Sequence, residues 1–431
     1  MKVAIVYPEV YDLARFKEKR KEFPPFGILY LAAILEKNGI EIKLFKAFSR
    51  KTMFDFRDFD AVAFSIPSSA TYNLIKKVRF NSIYSDNTMV MVGGVHPSFY
   101  PEQTLFDIKP HVVGIGPGEE TILELVNEQR KRRFSKINGI CYLEGSLSYK
   151  TPVRSLLQNV DILPFPARHL LKDNDVIMTD RLSNTNLRMA HIMFSRGCPF
   201  SCRFCAVFQK KLQYRSGESI KAELQSLIEN YKIDGFAVVD DNFVINKTRV
   251  HGICNSIAEL NLKWSALSRV DTVDYELLET MNESGCIEVK FGVESGSSKI
   301  LKAMGKNITK AQIYNAIHIA HSIGIKVKVF IVHGYPGENL ETTRETISLL
   351  KEIAPAVERI SLFRFVPLPG SYVYKNAKEF RLLVSEEKSN WDKCHIHHNH
   401  FHWWGDASDF KILIKAYNEL KYFIENTWPS T

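Results

Sequence analysis

Apolar and polar positions change their rhythm along this chain, and the change divides it into parts. Up to about residue 150, short apolar runs alternate with helical patterns. The runs are Lys2–Pro8, Glu41–Ala47, Ala61–Pro67, Met89–Gly94 and Val112–Gly116. Between them, apolar residues recur at helical spacing, as from Pro25 to Asn38, with Gly39 as a stop signal. Strand alternating with helix predicts a five-stranded, doubly wound, Rossmann-like parallel sheet. Residues 137–150 read as a hairpin turning at Glu144-Gly145-Ser146. A linker is expected over 151–189, where Pro164 and Pro166 break the pattern. From 190 onward the strand–helix unit repeats. Strands are expected at 191–196, 235–241, 263–271, 287–295, 326–334 and 359–367. Helices are expected at 218–231, 247–260, 274–285, 309–323 and 339–353. Six such units over 190–370 predict a parallel sheet curled into a partial (β/α)6 barrel, short of the eight that close one. Residues 371–431 break the repeat and read as a C-terminal extension with an amphipathic helix near Asp409–Glu425.

In both sheet types the ligand edge lies at the carboxyl ends of the strands. In the first sheet those loops hold Ser65, Gly93, Gly94, His96, Gly116 and Gly118. Small residues there let a large polar cofactor approach the backbone; ordinary tight turns are the plainer alternative.

With 431 residues and 45 % hydrophobic positions, the chain can bury large cores, and global disorder is excluded. The net charge is +9, with basic runs at Lys17–Lys21 and Arg130–Arg133. Neither run is interleaved with aromatics, so solvated surface is favoured over a nucleic-acid site. Seven scattered cysteines, no signal peptide and no apolar run near the length of a membrane span lead us to expect a soluble, cytoplasmic protein.

Three of the cysteines carry the chemistry. Cys198, Cys202 and Cys205 follow the first strand of the partial barrel at spacings of four and three residues, with Phe204 before the last. Three close thiolates suit a soft metal centre. A structural zinc site would want a fourth ligand at finger spacing, and none follows. A cubane iron–sulfur cluster held at three irons leaves the fourth open to a ligand.

These residues and their setting resemble the radical S-adenosylmethionine (SAM) superfamily. The resemblance extends to the group with an N-terminal cobalamin-binding-type domain and covers roughly residues 1–370. It is carried by Pro24–Leu35, Gly93–Pro97, Gly116–Thr121, Val239–Phe243, Ser268–Asp271, Gly292–Gly296, Gly334–Glu338 and Val366–Gly370. It implies a [4Fe–4S] cluster on Cys198, Cys202 and Cys205, whose open iron takes the amino and carboxylate groups of SAM. One electron then releases a 5′-deoxyadenosyl radical, so an external one-electron reductant such as flavodoxin or ferredoxin is implied as a partner. Asp240 and Asp241 are expected at the methionine ammonium, or else as an N-cap pair for the helix near Lys247. Arg269 is expected at the methionine carboxylate, or else in an ion pair with Asp271. Glu294 is expected at the ribose hydroxyls, Pro367 against the adenine or simply ending the sixth strand, and Phe204 beside the cluster.

Residues 1–150 lack the Asp-x-His-x-x-Gly loop by which some cobalamin proteins ligate cobalt, and the resembling group commonly lacks it too. The sheet therefore either holds cobalamin, with Ser65, Gly93, Gly94, His96, Gly116 and Gly118 as contacts, or is an inherited scaffold. With cobalamin, the resemblance implies methyl transfer to carbon of a small, natural-product or sugar-like substrate. Without it, the Lys19–Gly27 stretch resembles an aminoglycoside-deoxygenating branch that removes water from a diol. RNA modification is disfavoured because 371–431 holds no recognisable RNA-binding module. Five histidines among residues 395–402 and Trp403-Trp404 are read as a substrate wall ahead of plain structure or a metal site.

Overall fold

The structure is a computed structural model that describes residues 1–9, 24–179, 187–382, 391–394 and 407–428. The Lys17–Lys21 run, residues 19–23 of the Lys19–Gly27 stretch and the His395–Trp404 segment lie outside the described residues. The chain divides into two compact units, Met1–Val176 with Ser385–His395, and Ile177–Val384 with Ile396–Thr431.

The first unit contains strands β1 (Lys2–Pro8), β2 (Glu41–Ala47), β3 (Ala61–Ser65), β4 (Met89–Gly93), β5 (Val112–Gly114), β6 (Ile140–Glu144) and β7 (Leu147–Lys150). Its helices are α1 (Phe26–Lys37), α2 (Tyr72–Asn81), α3 (Val95–Phe99), α4 (Pro101–Ile108), α5 (Glu119–Asn127) and α6 (Asp173–Val176). The sheet order is β2-β1-β3-β4-β5-β6-β7. Strands β1 to β5 are parallel, as expected, and their order reverses between β1 and β3, which creates a crevice at the carboxyl edge. The hairpin β6–β7 adds to β5 antiparallel, so the sheet has seven strands rather than five. The hairpin reads as a separate ornament in sequence because only its first strand is apolar. Strand β1 is buried along Val3–Pro8, as a central parallel strand covered on both faces should be. Helix α1 buries Ile28, Ala32 and Leu35 against this sheet and ends where Gly39 turns to φ +74°. Residues 151–176, expected as a linker, belong to this unit. There Ala167 N–H donates to Leu29 O at 3.1 Å, and the Arg168 guanidinium lies over the Phe26 ring.

The second unit contains β8 (Ile177–Thr179), β9 (Arg188–Ile192), β10 (Ser195–Arg196), β11 (Gln213–Tyr214), β12 (Gly235–Val238), β13 (Lys263–Ser268), β14 (Cys286–Glu294), β15 (Lys326–His333) and β16 (Arg359–Arg364). Its helices are α7 (Gly217–Tyr231), α8 (Lys247–Ile257), α9 (Tyr275–Glu283), α10 (Ser298–Ala303), α11 (Lys310–Ile323), α12 (Leu340–Ile353), α13 (Tyr372–Lys375) and α14 (Ala407–Thr427). Six parallel strands run in the order β16-β15-β14-β13-β12-β9, a curled half-barrel, with β8 antiparallel on the β9 edge. Side-chain caps start the helices that return each strand. Ser216, Asn246, Asp274, Thr309 and Asn339 each accept from the third backbone N–H of their helix. Among the described residues, no helix is long and apolar enough to cross a membrane.

Candidate active site and cofactor edges

The cysteine loop leaves the barrel earlier than its apolar run predicts. Strand β9 stops at Ile192, not at 196. Asp240 causes the departure: its carboxylate accepts from Phe194 N–H at 2.7 Å and from Ser195 Oγ at 2.5 Å. The chain then forms the short β10–β11 ladder and returns at Arg215, which donates to Phe194 O and is ion-paired with the buried Glu223. Within the loop, Gly197 adopts φ +91°, and a Cβ there would lie 2.7 Å from Lys211 O. Only glycine closes this turn. Cys198 N–H donates to Gln209 O at 3.1 Å, which fixes the first thiol.

Cys198, Cys202 and Cys205 are free and half-buried on this loop. Burial pushes the Cys205 thiol up to about 11 and raises that of Cys198. Thiols bind metal as thiolates, so binding releases their protons. Phe204 is half-buried beside them.

Arg269, just past β13, joins the loop to the rim. Its Nε and Nη2 hold Asp271 through two bonds of 2.8 Å. Its Nη2 also donates to Lys306 O at 2.7 Å, its Nη1 reaches Cys202 Sγ at 3.7 Å, and its guanidinium lies 3.9 Å from the Phe200 ring centroid. Of the two readings of Arg269, the structure displays the ion pair with Asp271. It adds a contact to a thiol that spacing alone does not reveal.

Glu294 ends β14 at a register shift and holds φ +66°, uncommon for a side-chain-bearing residue. Its carboxylate is buried and paired with Lys306 Nζ at 3.0 Å. The pair fills the space a Cβ on Gly292 would need, which explains that glycine. Asp241 is exposed and accepts from the Gly197 backbone. Neither Asp240 nor Asp241 caps α8, a role that Asn246 fills. Burial pushes the Asp240 carboxyl up to about 6, and both its oxygens already serve the cysteine loop. Pro367 is buried just past β16. One neighbour was missed in sequence: Asn242 is 3 % exposed, and neither its Oδ1 nor its Nδ2 has a partner. A buried amide with nothing to bond is costly, and a polar ligand at the rim would satisfy it.

At the carboxyl edge of the first sheet, the loops after β3 and β4 are stitched together. Ile66 N–H donates to Gly93 O and His96 N–H to Ile66 O. Gly94 stands at φ +118°, where a Cβ would meet Ile66 O at 2.6 Å. That glycine therefore serves loop packing. Gly118 faces Leu31, and Gly116 N–H is taken by Ser98 Oγ at 2.9 Å. Ser65 is half-buried at the end of β3, and Gly93 has open space where a Cβ would stand, leaving its backbone approachable. His96, expected at the open edge, is instead 1 % exposed. Its Nδ1 meets Ser69 Oγ at 2.8 Å, and Tyr72, Tyr100 and Trp391 enclose its ring. Burial among these rings draws a loop histidine inward, away from a surface contact.

Fold and site together define a protein with a doubly wound nucleotide-type sheet and an open α/β barrel bearing three thiols at its rim. Residues 192–350 match the radical SAM superfamily, and residues 18–126 match the B12 binding domain. An uncharacterized methyltransferase from Pyrococcus horikoshii is 31 % identical over 385 residues, covering 86 % of this chain and 81 % of the relative. Cytidylyl-2-hydroxyethylphosphonate methyltransferase from Streptomyces wedmorensis is 26 % identical over 429 residues, covering 84 % and 79 %. The solved radical SAM methyltransferase TsrM from Kitasatospora setae, with cobalamin and a [4Fe–4S] cluster bound, superposes with a TM-score of 0.72. At 15 % identity it covers 98 % of this chain and 89 % of its own, a likeness of fold. The chain belongs to the radical SAM superfamily, in the group that carries a B12-binding domain. It is an enzyme of the cobalamin-dependent radical SAM type, and its cofactors follow from the two domains: SAM and a [4Fe–4S] cluster from one, cobalamin from the other.

Proposed function

We propose that this enzyme transfers a methyl group to an unactivated carbon of a small molecule. When bound, the cluster with SAM supplies a 5′-deoxyadenosyl radical, and cobalamin supplies the methyl group. Cys198, Cys202 and Cys205 hold the cluster, with Phe204 shielding it from water. Arg269, braced by Asp271, sets the charge beside Cys202 Sγ and orients the methionine carboxylate. Asp241 and the amide of Asn242 receive the methionine ammonium, while Asp240 holds the cysteine loop in place for them. Glu294, paired with Lys306, accepts from the ribose hydroxyls. Pro367 packs on the adenine. Ser65, Gly93, Gly94, Gly116 and Gly118 form the corrin edge, with Gly93 the open backbone contact. An external one-electron donor protein supplies the electron.

The observation that carries this reading is Cys202, one of three cysteines on a single loop, joined by Arg269 to the rim residues Lys306 and Glu294 in a chain that also bears a B12-binding domain. Methyltransferase relatives favour methyl transfer over loss of water. Replacing Cys202 with Ala should remove the visible absorbance of the cluster and all 5′-deoxyadenosine formation, because each cysteine ligand is needed. Cleavage of SAM by that variant contradicts the assignment.

A further inference from the structure

Two stretches of the chain contain no acidic residue at all: Ser195–Gly217, which includes the cysteine loop, and Ser295–Gly337, which includes α10. The fold brings their tips together. Arg203 N–H donates to Met304 O at 2.8 Å, and Arg203 Nη1 reaches Ala303 O at 3.5 Å. Helix α13 joins the same surface, with Val373 N–H on Arg203 O at 3.1 Å.

Some of the basic residues in these stretches are used inward: Arg215 pairs with Glu223, and Lys306 with Glu294. Arg203, Lys210, Lys299 and Lys302 are instead exposed. Lys210 is held over the loop by its bond to Phe200 O at 2.8 Å. Lys299 and Lys302 stand three residues apart on one side of α10, and neither has an ion-pair partner among the described residues. Tyr372 is 48 % exposed, with the Arg203 guanidinium 5.4 Å from its ring centroid. The exposed Asp241 acts on Lys210, which leaves Lys299 and Lys302 as the uncompensated pair. Exposed lysines and an arginine-backed aromatic on one surface have the make-up of a protein-docking patch.

We propose that this face docks an acidic one-electron donor protein. The inference rests on the SAM-cleaving reading above. Each reductive cleavage consumes one electron, and the chain's own residues supply none. The donor leaves oxidised by one electron, and that electron passes to the cluster through the loop that carries Cys198, Cys202 and Cys205. Arg203 stands between two of those cysteines in sequence and on the exposed side of the loop. The short route and the matching charge fall at the same place. A small acidic substrate is the poorer occupant, because these side chains are exposed and a substrate pocket encloses its ligand.

The test uses the full chain with its cluster reconstituted anaerobically, and flavodoxin as the acidic probe. Binding is titrated at low and high salt, and 5′-deoxyadenosine formation is followed with reduced flavodoxin and, separately, with dithionite. The paired reversal Lys299→Glu/Lys302→Glu should weaken flavodoxin binding about 10-fold and flatten its salt dependence, with dithionite-driven cleavage unchanged. Lys263→Glu, at the amino end of β13, should alter neither. Unchanged flavodoxin binding in the reversal variant overturns the docking face, as does binding of an RNA probe in place of flavodoxin. An equal loss with both reductants also overturns it, since the lysines would then act on the site itself. If the unaltered enzyme cleaves no SAM even with dithionite, the SAM-cleaving reading fails, a result distinct from failure of the docking face.

Discussion

Arg269 meets four different groups with one guanidinium: Asp271, Lys306 O, Cys202 Sγ and the face of Phe200. A lysine keeps the charge but loses the planar fork that holds Asp271 while reaching the thiol. Arg269→Lys should therefore lower cluster-dependent SAM cleavage about 10-fold, the scale of losing a neighbour that orients a metal ligand. Iron and sulfide content together with 5′-deoxyadenosine yield measure this. Glu294 and Lys306 form a buried pair, with side chains 9 % and 7 % exposed. Lys306→Met leaves an uncompensated carboxylate and should destabilise the second unit by about 3 kcal/mol in urea unfolding, while Glu294→Gln/Lys306→Met should recover most of that loss. Arg269 and Glu294 were legible in sequence, and so was Asp271 as one reading of the partner of Arg269; Lys306 was not. Arg269 and Asp271 are two positions apart, so their pairing was open to inspection. Lys306 lies in a loop whose sequence says nothing about reaching back to Glu294.

At the scale of elements, the periodicity located the strands well because parallel strands buried on both faces are almost continuous apolar runs. Lys2–Pro8 matches residue for residue, and so does Glu41–Ala47, a half-exposed edge strand whose apolar residues alternate with polar ones. The exception is instructive. Residues 191–196 look like strand, yet the ladder ends at Ile192 because a buried carboxylate forty-six residues away captures Phe194 N–H. No local pattern encodes that competition. His96 shows the same limit. Its loop is glycine-rich and looks open, but Trp391, far along the chain, closes over it. Burial pushes this imidazole down to about 3 from 6.5, against the opposing pull of Asp107. The folded unit therefore refuses a proton that the unfolded chain accepts below pH 6.5, and the stability tied to His96 falls as pH drops from there towards 3. Between pH 7 and pH 5 this amounts to about 2 kcal/mol. His96→Phe should lose that much less stability than the unaltered protein over the same range, as read by urea midpoints at the two pH values.

For the whole molecule, the thiol spacing and the six-unit repeat made the barrel chemistry legible, because both are local signals repeated in order. The first sheet was legible as a fold but not as a cofactor site. Contacts made through backbone shape are hardly recorded in sequence: Gly93 keeps open space at its Cβ position, whereas Gly94 and Gly118 are closed by Ile66 and Leu31. The membership of residues 151–176 in the first unit also escaped, since prolines signal a break in pattern and not where the following chain packs. The most direct test of the central claim is to quantify 5′-deoxyadenosine and S-adenosylhomocysteine from the reduced, cluster-loaded enzyme with SAM, with and without added cobalamin. Expected are 5′-deoxyadenosine formation that disappears in Cys202→Ala, and S-adenosylhomocysteine formed only when cobalamin is present. SAM cleavage that survives Cys202→Ala, or S-adenosylhomocysteine formed equally without cobalamin, would contradict it.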